Sequence, residues 1–505
     1  MTSVFDDIIL TGATRVPSPE KFQITPVRNA AGLAAYHRLR HDVFVTEQGL
    51  FAGTERDDYD DDPRTVVLLA CRTGGPDADE VLGGVRLHPM TGDGLSAPDL
   101  GWWRGSRLAV AQDCRLVHGI GAALIRAACA EAESLGALRF DATVQARHET
   151  LFRRLGWVPR ERLDLHGTPH VIVDWPVARF RRLASATKAA LGSLVGDLVG
   201  RDAWRGDDGA PVPGTDVIAA TDAILPSMVE RDPEWAGWCS VLVNVNDLYA
   251  MGATPVGLMD ALGARDASFA RRVLRGLTDA ARAWDVPVLG GHTQLGVPAA
   301  LSVTALGRTD RPVAGGGAGP GQRLRVTADL GGGWRPGYTG SQWDSSTRRT
   351  PAELRALAGV VPALAPTAAK DVSMSGLVGM LAEASGCRAI LDVADIPAPA
   401  GATRADWLTC FPGFAIVSAE EATRQGAPGP GGPAALPGFL TSAVCGEFVP
   451  GEGVALRWPD GVITEAVAAV TGLGSTTVTA AAAPAEARIT APAHDAGAAA
   501  ERTKR

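Results

Sequence analysis

Four short segments in the second half of the chain carry side chains suited to holding phosphate and a hard metal ion. The turn Gly206-Asp207-Asp208-Gly209 sets two carboxylates side by side, and Asp222 stands on the strand-like run 217–225 that follows. Magnesium takes hard oxygen ligands and commonly shares them with nucleotide phosphates; an acidic surface turn is the plainer alternative. The run 233–255 reads as one helix, because Trp235, Trp238, Cys239, Leu242, Asn246 and Tyr249 recur at helical spacing and Gly252 fits its stop. Asn246 then lies on the apolar stripe with Asp247 beside it. Polar groups on a packing face are unfavourable unless partnered, which points to a ligand or metal. The third segment, Gly290-Gly291-His292-Thr293, follows a helix predicted over 269–284 and reads as a tight polar corner at a strand end, or as a structural turn. In the fourth, Lys370, Asp371 and Ser373 precede a helix predicted from Ser375/Gly376, whose free N–H groups and dipole favour an anion beside the lysine.

The first half offers another anion site. A strand ends near Val110, and a helix opens at Gly119-Ile120-Gly121. Glycines there let an anionic group approach the first-turn N–H groups. The pairs Leu124/Ala128 and Ile125/Cys129 pack that helix on a sheet. An ordinary glycine-rich turn is the alternative. The acidic run Glu55–Asp62 either attracts a cationic amine or is a solvated loop. The stretch 331–349, with Trp, Tyr, Arg335, Arg348 and Arg349 after Arg325, is either a lid that reads a carboxylate or phosphate, or a surface excursion.

These segments need α/β scaffolds. Strand-like runs at 65–72, 81–87, 106–110, 138–144 and 170–177 alternate with helical runs at 33–44, 119–136 and 149–156. The expected organisation is a flexible lead-in at 1–20, an α/β unit at 21–179, a connector at 180–200, α/β subdomains at 201–310 and 321–475, and a disordered Ala-rich tail at 476–505. Each flanking region of the connector is expected to own a core and fold alone. With 505 residues, about three structural units fit. A net charge of −8 argues against a nucleic-acid binder. No apolar run reaches the ~18–20 residues of a membrane span. Seven scattered cysteines without a CxxC pair point to a reducing cytoplasm. Only Lys21, Lys188, Lys370 and Lys504 are lysines, so lysine chemistry has two mid-chain candidates.

The strand SRLAV, the GIG turn with its helix, and TLFRRLGWVPRE, together with LRHDVFVTEQ and the acidic TERDDYDDD, resemble the GNAT acyl-CoA-dependent N-acetyltransferases over about 155 residues. The resemblance implies acetyl-CoA or another acyl-CoA, with its pyrophosphate on the N–H groups of Gly119, Gly121 and Ala122. It also implies that the backbone near Leu108–Val110 polarises the thioester carbonyl. Glu47 is the candidate general base toward an amine. Phe152 stands where a tyrosine often protonates the thiolate, Gln145 where an asparagine is frequent, and Leu116 at the front of the cradle, with Arg115 one position early.

GDDGA, NDLYAMGATP, GGHT, DVSMSGLVG and CGEFVPGEGVALRWPDG, in this order, resemble the superfamily of AIR synthase, thiamine-monophosphate kinase, the hydrogenase-maturation dehydratase and selenophosphate synthetase over about 270 residues. That resemblance implies ATP, with Mg²⁺ on Asp207, Asp208, Asp222, Asp247 and Asp371. It implies nucleotide contacts from Asn246, Gly290, Gly291, Thr293 and Ser373, catalytic places for Lys370 and His292, and a homodimer that closes the site. Between Cys129 and GDDGA the only lysine is Lys188 and there is no cysteine, which argues against selenide chemistry. The expectation is a cytoplasmic bifunctional enzyme, an N-acyltransferase fused to an ATP/Mg-dependent unit acting on a small nitrogen-containing metabolite. The alternative is a regulatory protein that binds both ligands without turnover.

Overall fold

The computed structural model describes residues 22–74, 79–91, 97–115, 119–187, 206–383, 387–422 and 436–468, with isolated positions at 191, 194 and 204. The lead-in at 1–20, most of the connector beyond Thr187, the tail at 476–505, and Lys21, Leu116, Lys188 and Lys504 lie outside the described residues. The fold is mixed α/β. No helix among the described residues is long and apolar enough to cross a membrane.

The N-terminal sheet has seven strands: β1 (Phe22–Pro26), β2 (Val66–Arg72), β3 (Val81–Pro89), β4 (Trp102–Val110), β5 (Arg139–Gln145), β6 (Val158–Leu165) and β7 (Thr168–Trp175), in the order β1-β2-β3-β4-β5-β7-β6. Its pairs are antiparallel except β4–β5. Helices α1 (Ala30–His41) and α2 (Ile120–Ser134) pack on it. Ile120, Leu124, Ile125, Ala128, Cys129 and Ala132 form the buried face of α2, the i,i+4 pattern legible in the sequence. Strand β6 belongs to a hairpin with β7 that the sequence reading does not contain. A further helix, α3 (Arg179–Thr187), follows.

The central sheet comprises β8 (Ala210–Pro211), β9 (Val217–Ile224), β10 (Thr254–Ala264), β11 (Val288–Leu295) and β12 (Ala300–Arg308), ordered β11-β10-β12-β9-β8. Helices α4 (Pro233–Ala250) and α5 (Ala267–Trp284) pack against each other and against this sheet. Their backbones nearly touch: a Cβ on Gly237 would lie 2.1 Å from Val273 O, and one on Gly276 1.8 Å from Glu234 O. Helix α4 is therefore buried nearly all round, not on one stripe.

The third sheet is built from β13 (Arg323–Ala328), β16 (Ala368–Asp371), β17 (Arg388–Asp392), β19 (Ala415–Glu420), β20 (Thr441–Val449), β21 (Val454–Arg457) and β22 (Ile463–Val467), with α6 (Gly376–Glu383) packed against it. Strands β14 (Gly333–Trp334), β15 (Gln342–Asp344) and β18 (Phe411–Pro412) form a small separate sheet.

Three expectations change. GGHT is neither corner nor turn: it runs through β11, an extended, exposed edge strand. Gly291 is glycine because a Cβ there would meet the Asp260 carboxylate at 2.2 Å, the close-approach role of glycine within a strand. The 331–349 stretch is neither free lid nor loose excursion. Trp343 is buried against Trp334 and Trp407, and Arg349 pairs with Asp329, Arg335 with Asp232 and Asp344, and Arg325 with Glu420. The two halves also share a core. Leu100, Trp102, Leu138, Phe180 and Ala184 belong to the same apolar cluster as Trp343, Trp407 and Trp458, although the N-terminal sheet has a second cluster of its own.

Candidate functional sites

In the C-terminal half, edge strand β16 carries Lys370 and Asp371, both buried. The GDDG turn docks on this strand from more than 160 residues away. Lys370 Nζ donates to Gly206 O at 2.9 Å and lies 3.1 Å from Asp208 Oδ1. The backbone N–H of Asp371 donates to Asp208 Oδ2 at 2.9 Å. The last turn of α4 delivers Asp247. Carboxylate oxygens of Asp208, Asp247 and Asp371 all lie within 4.8 Å of one another.

Bringing these charges together has an electrostatic consequence. Burial, and then the charges of Asp371, Asp222 and Asp208, push the Asp247 carboxyl well above its ordinary range, with Lys370 opposing. Asp222, exposed on β9, contributes by its field from outside the three-carboxylate group. Asp207 turns to a different partner: its Oδ1 accepts from the N–H of Gly315. Burial raises its carboxyl to about 7, against the pull of Lys370 and that hydrogen bond. Three hard oxygen donors, with Lys370 against Asp208, fit a divalent ion of the magnesium type.

Asn246 donates through Nδ2 to Gly413 O at 3.1 Å, while its Oδ1 is buried with no hydrogen-bond partner. Ser373 Oγ contacts Met380 Sδ at 3.4 Å, ahead of α6. Gly290, Gly291, His292 and Thr293 stand elsewhere. The register runs Asp222–Val303–Asp260–Gly291 across four strands. At ~4.8 Å per strand, GGHT is roughly 14 Å from Asp222. Within one chain it does not join the carboxylate group.

In the N-terminal half, β4 and β5 pair only from Trp102↔Arg139 to Gly105↔Ala142 and then part, while β4 stays paired to β3 as far as Val110. Arg107, at φ +52°, marks the bulge where β4 turns away. A cavity of about 940 Å³ opens there. Leu108, Val110, Gly119, Gly121 and Ala122 line it, so the structure brings these five together. Gly119 caps α2 at φ +104°. A Cβ on Gly121 would meet nothing closer than Val110 at 4.0 Å, so packing does not require glycine there.

Glu47 also lines the cavity, but Arg115 holds its Oε2 at 2.6 Å and lowers the carboxyl below its ordinary range, which weakens it as a base. The acidic run is only partly solvated: Asp58 and Asp61 are exposed, while its other carboxylates are held by arginines. Glu55 and Asp60 are buried against Arg40, whose NH1 lies 2.6 Å from Asp60 Oδ1, and Asp57 is held by Arg86 at 2.6 and 2.8 Å and by Arg107 at 2.9 Å. Three guanidinium groups thus balance three carboxylates. Phe152 is buried edge-on to Trp157, and Gln145 donates to Gln48 Oε1 at 2.7 Å.

Comparison with known proteins bears on the carboxylate site. The family model "AIR synthase related protein, N-terminal domain" matches residues 206–309, the segment from GDDG through β12. An uncharacterised protein of Synechocystis is 37% identical over 235 residues, covering 44% of this chain and 72% of that protein. Thiamine-monophosphate kinase of Halobacterium salinarum is 31% identical over 293 residues, 53% of this chain and 97% of the kinase. The chain belongs to the AIR synthase-related family. Among solved structures, thiamine-monophosphate kinase from Aquifex aeolicus superposes with a TM-score of 0.39 at 22% identity, over 54% of this chain and 95% of that one.

Within the AIR synthase-related part, the sequence reading named every member of the carboxylate group but not its internal contacts. Asp207 and Asp208 are adjacent, yet one faces Gly315 and the other Lys370. Asp260, beneath Gly291 with a buried unpartnered Oδ2, escaped the sequence reading. Its signal was the glycine opposite it.

Proposed function

We propose that the AIR synthase-related part is an ATP- and Mg²⁺-dependent phosphotransfer or ATP-activating unit acting on a small nitrogen-containing metabolite. The observation that carries this is the meeting of Asp208, Asp247 and Asp371 within 4.8 Å, with Lys370 against Asp208. The kinase named among its relatives supports the same class of chemistry. Asp208, Asp247 and Asp371 would hold the ion, with Asp222 and Asp207 nearby, and Mg²⁺ would supply neutralisation of phosphate charge. Lys370, held by Gly206 O and Asp208, keeps one cation fixed at the site. ADP formation from Mg·ATP across a panel of amine- and amide-bearing phosphates and carboxylates tests the reading. Metabolite-dependent, Mg²⁺-dependent ADP is expected, and its absence throughout the panel would refute it.

The same reading includes a homodimer. Beyond the helices, the sheet exposes Val256, Met259, Val288, Leu289 and Leu295, and its edge strand bears GGHT. Pairing two chains there would cover these side chains and give His292, Thr293, Gly290 and Gly291 a place near a nucleotide. Leu289→Glu is expected to shift the chain from dimer to monomer in sedimentation; an unchanged sedimentation coefficient counts against this surface.

For the N-terminal half we propose an acyl-CoA-dependent N-acyltransferase acting on a small amine, in the cytoplasm, where the chain's seven cysteines would stay reduced. The parting of β4 and β5 beside the glycine cap of α2 supports it: Leu108–Val110, beyond the last β4–β5 pair, and Gly119, Gly121 and Ala122 at the start of α2 line one cavity. Gly121→Glu should fold normally, since a side chain there meets open space, and should abolish acetyl-CoA binding by filling that space with a like charge. Calorimetry that finds wild-type affinity removes the assignment. The Glu47–Arg115 pair favours a second reading for this cavity, binding without turnover. Release of free CoA in the presence of amines separates the two.

A further inference from the structure

The junction between the halves holds a hydrogen-bonded chain that neither proposed chemistry uses. Asp141 on β5 is fully buried. It accepts from Trp102 Nε1 at 3.0 Å, from Arg104 Nε at 2.6 Å and Nη2 at 3.1 Å, and from Arg139 Nη2 at 3.3 Å. Arg160 Nη2 stands 3.5 Å away, with its Nε donating to Asp174 at 2.8 Å. Arg139, also buried, lies 4.0 Å over the Trp102 ring and 5.7 Å from that of Trp458. Its other hydrogen bonds cross to the C-terminal half: Nη1 and Nη2 grip Asp460 Oδ1 and Oδ2 at 2.8 and 2.9 Å. Asp460 sits in the turn between β21 and β22, two residues after Trp458.

Charge counting shows what Asp460 does. Arg104, Arg139 and Arg160 bring three cations into a largely buried network. The N-terminal half supplies two anions, Asp141 and Asp174, and Asp460 is the third. Without it, Arg139 must draw on Asp141, the same carboxylate that fixes Arg104. Buried guanidinium groups without a full set of acceptors are unfavourable, so the competition would fall on the Arg104–Asp141 pair. Arg104 is not a bystander: it lines the cavity and stands at the last register but one before β4 and β5 part.

We propose that Asp460 is a positioning residue for the N-terminal cavity, acting through Arg139 and Asp141 to fix the guanidinium of Arg104 at the foot of the cleft. One chemical unit in the AIR synthase-related part thereby sets the geometry of a site in the other half. The affinity consequence rests on the acyl-CoA reading; the coupling itself does not.

Asp460→Asn and Asp460→Glu, made in the full chain with ¹⁵N-labelled arginine and tryptophan, test it. The Arg104 Nε–H and Trp102 Nε1–H lines report hydrogen bonds to Asp141. Both lines are expected to move in Asp460→Asn, and to move less in Asp460→Glu, which keeps the charge but not the paired geometry. Acetyl-CoA affinity by calorimetry should fall about tenfold in the asparagine variant and recover largely in the glutamate variant. Lines at their wild-type positions in both variants would overturn the proposal. Weakened affinity with unmoved lines would overturn it as well, because the effect would then travel by another route. If wild type binds no acetyl-CoA and the lines nevertheless move, the coupling stands and the acyl-CoA reading falls. Should Asp460→Asn fail to fold, the smaller displacement in Asp460→Glu carries the same decision.

Discussion

Replacing Asp247 by asparagine is expected to remove the Mg·ATP response while leaving the metal-free chain at least as stable as wild type. The side chain is almost fully buried in the last turn of α4, where the helix dipole disfavours a negative charge. Burial and three neighbouring carboxylates already hold its carboxyl well above the ordinary range. An amide of the same shape loses that strain, and with it one of three metal oxygens. Mg·ATP affinity should drop by at least about a hundredfold, which is ~2.7 kcal/mol. Wild type at saturating Mg·ATP should melt several degrees higher than in chelator, and the variant should show no such shift. The pH dependence has a definite sign. A carboxyl raised in the folded state binds more protons folded than unfolded. Between the ordinary carboxylate range and the raised folded value, rising pH therefore destabilises the metal-free chain. For Asp207, with a folded value of about 7, that loss is complete a little above neutrality. Stabilisation by Mg·ATP should accordingly be larger at pH 8 than at pH 6. A variant that melts lower in chelator and still responds to Mg·ATP would defeat the site assignment.

How much of this site was legible beforehand depends on whether its cause was local. Asp207–Asp208, Asn246–Asp247 and Lys370–Asp371 declare themselves because each pair sits on one turn, one helix stripe or one helix entry. What a sequence does not contain is that Lys370 Nζ reaches Gly206 O, or that the Asp371 N–H reaches Asp208, since those contacts are set by sheet order. GGHT misleads for a related reason. Paired glycines usually announce a turn, yet here one of them makes room for the Asp260 carboxylate on the neighbouring strand. The acidic run Glu55–Asp62 looks like a solvated loop because its partners Arg40, Arg86 and Arg107 come from α1, β3 and β4. In the N-terminal half, the glycine cap of α2 was visible, but the gap between β4 and β5 was not. Strand-like runs at 106–110 and 138–144 do not say where their pairing ends.

The same limitation governs the connector. Polar, partly helical sequence at 180–200 invites the view that the halves are separate modules, and a cut after Ala186 is the direct test. The structure leads to the opposite expectation. Leu100, Trp102 and Leu138 from the N-terminal half, with Phe180 and Ala184 from α3, are buried in the cluster of the third sheet. Exposing a large apolar side chain forfeits about 1.5–3 kcal/mol. Four such residues therefore remove an amount comparable to the ~5–15 kcal/mol stability of a whole domain. The cut also separates Arg139 from Asp460 and Arg179 from Asp406, stranding a buried guanidinium. Residues 1–186 expressed alone should aggregate, or melt far below the intact chain. Residues 187–505 should expose the Trp458 and Trp407 surface and share that tendency. Coexpression should rescue both, and the two pieces should co-elute as a tight complex, because the contact surface survives the loss of one peptide bond. If 1–186 instead proves soluble, monomeric and as heat-resistant as the parent, the shared cluster is a loose contact. Acyl transfer and ATP use would then belong to independent modules joined by a tether.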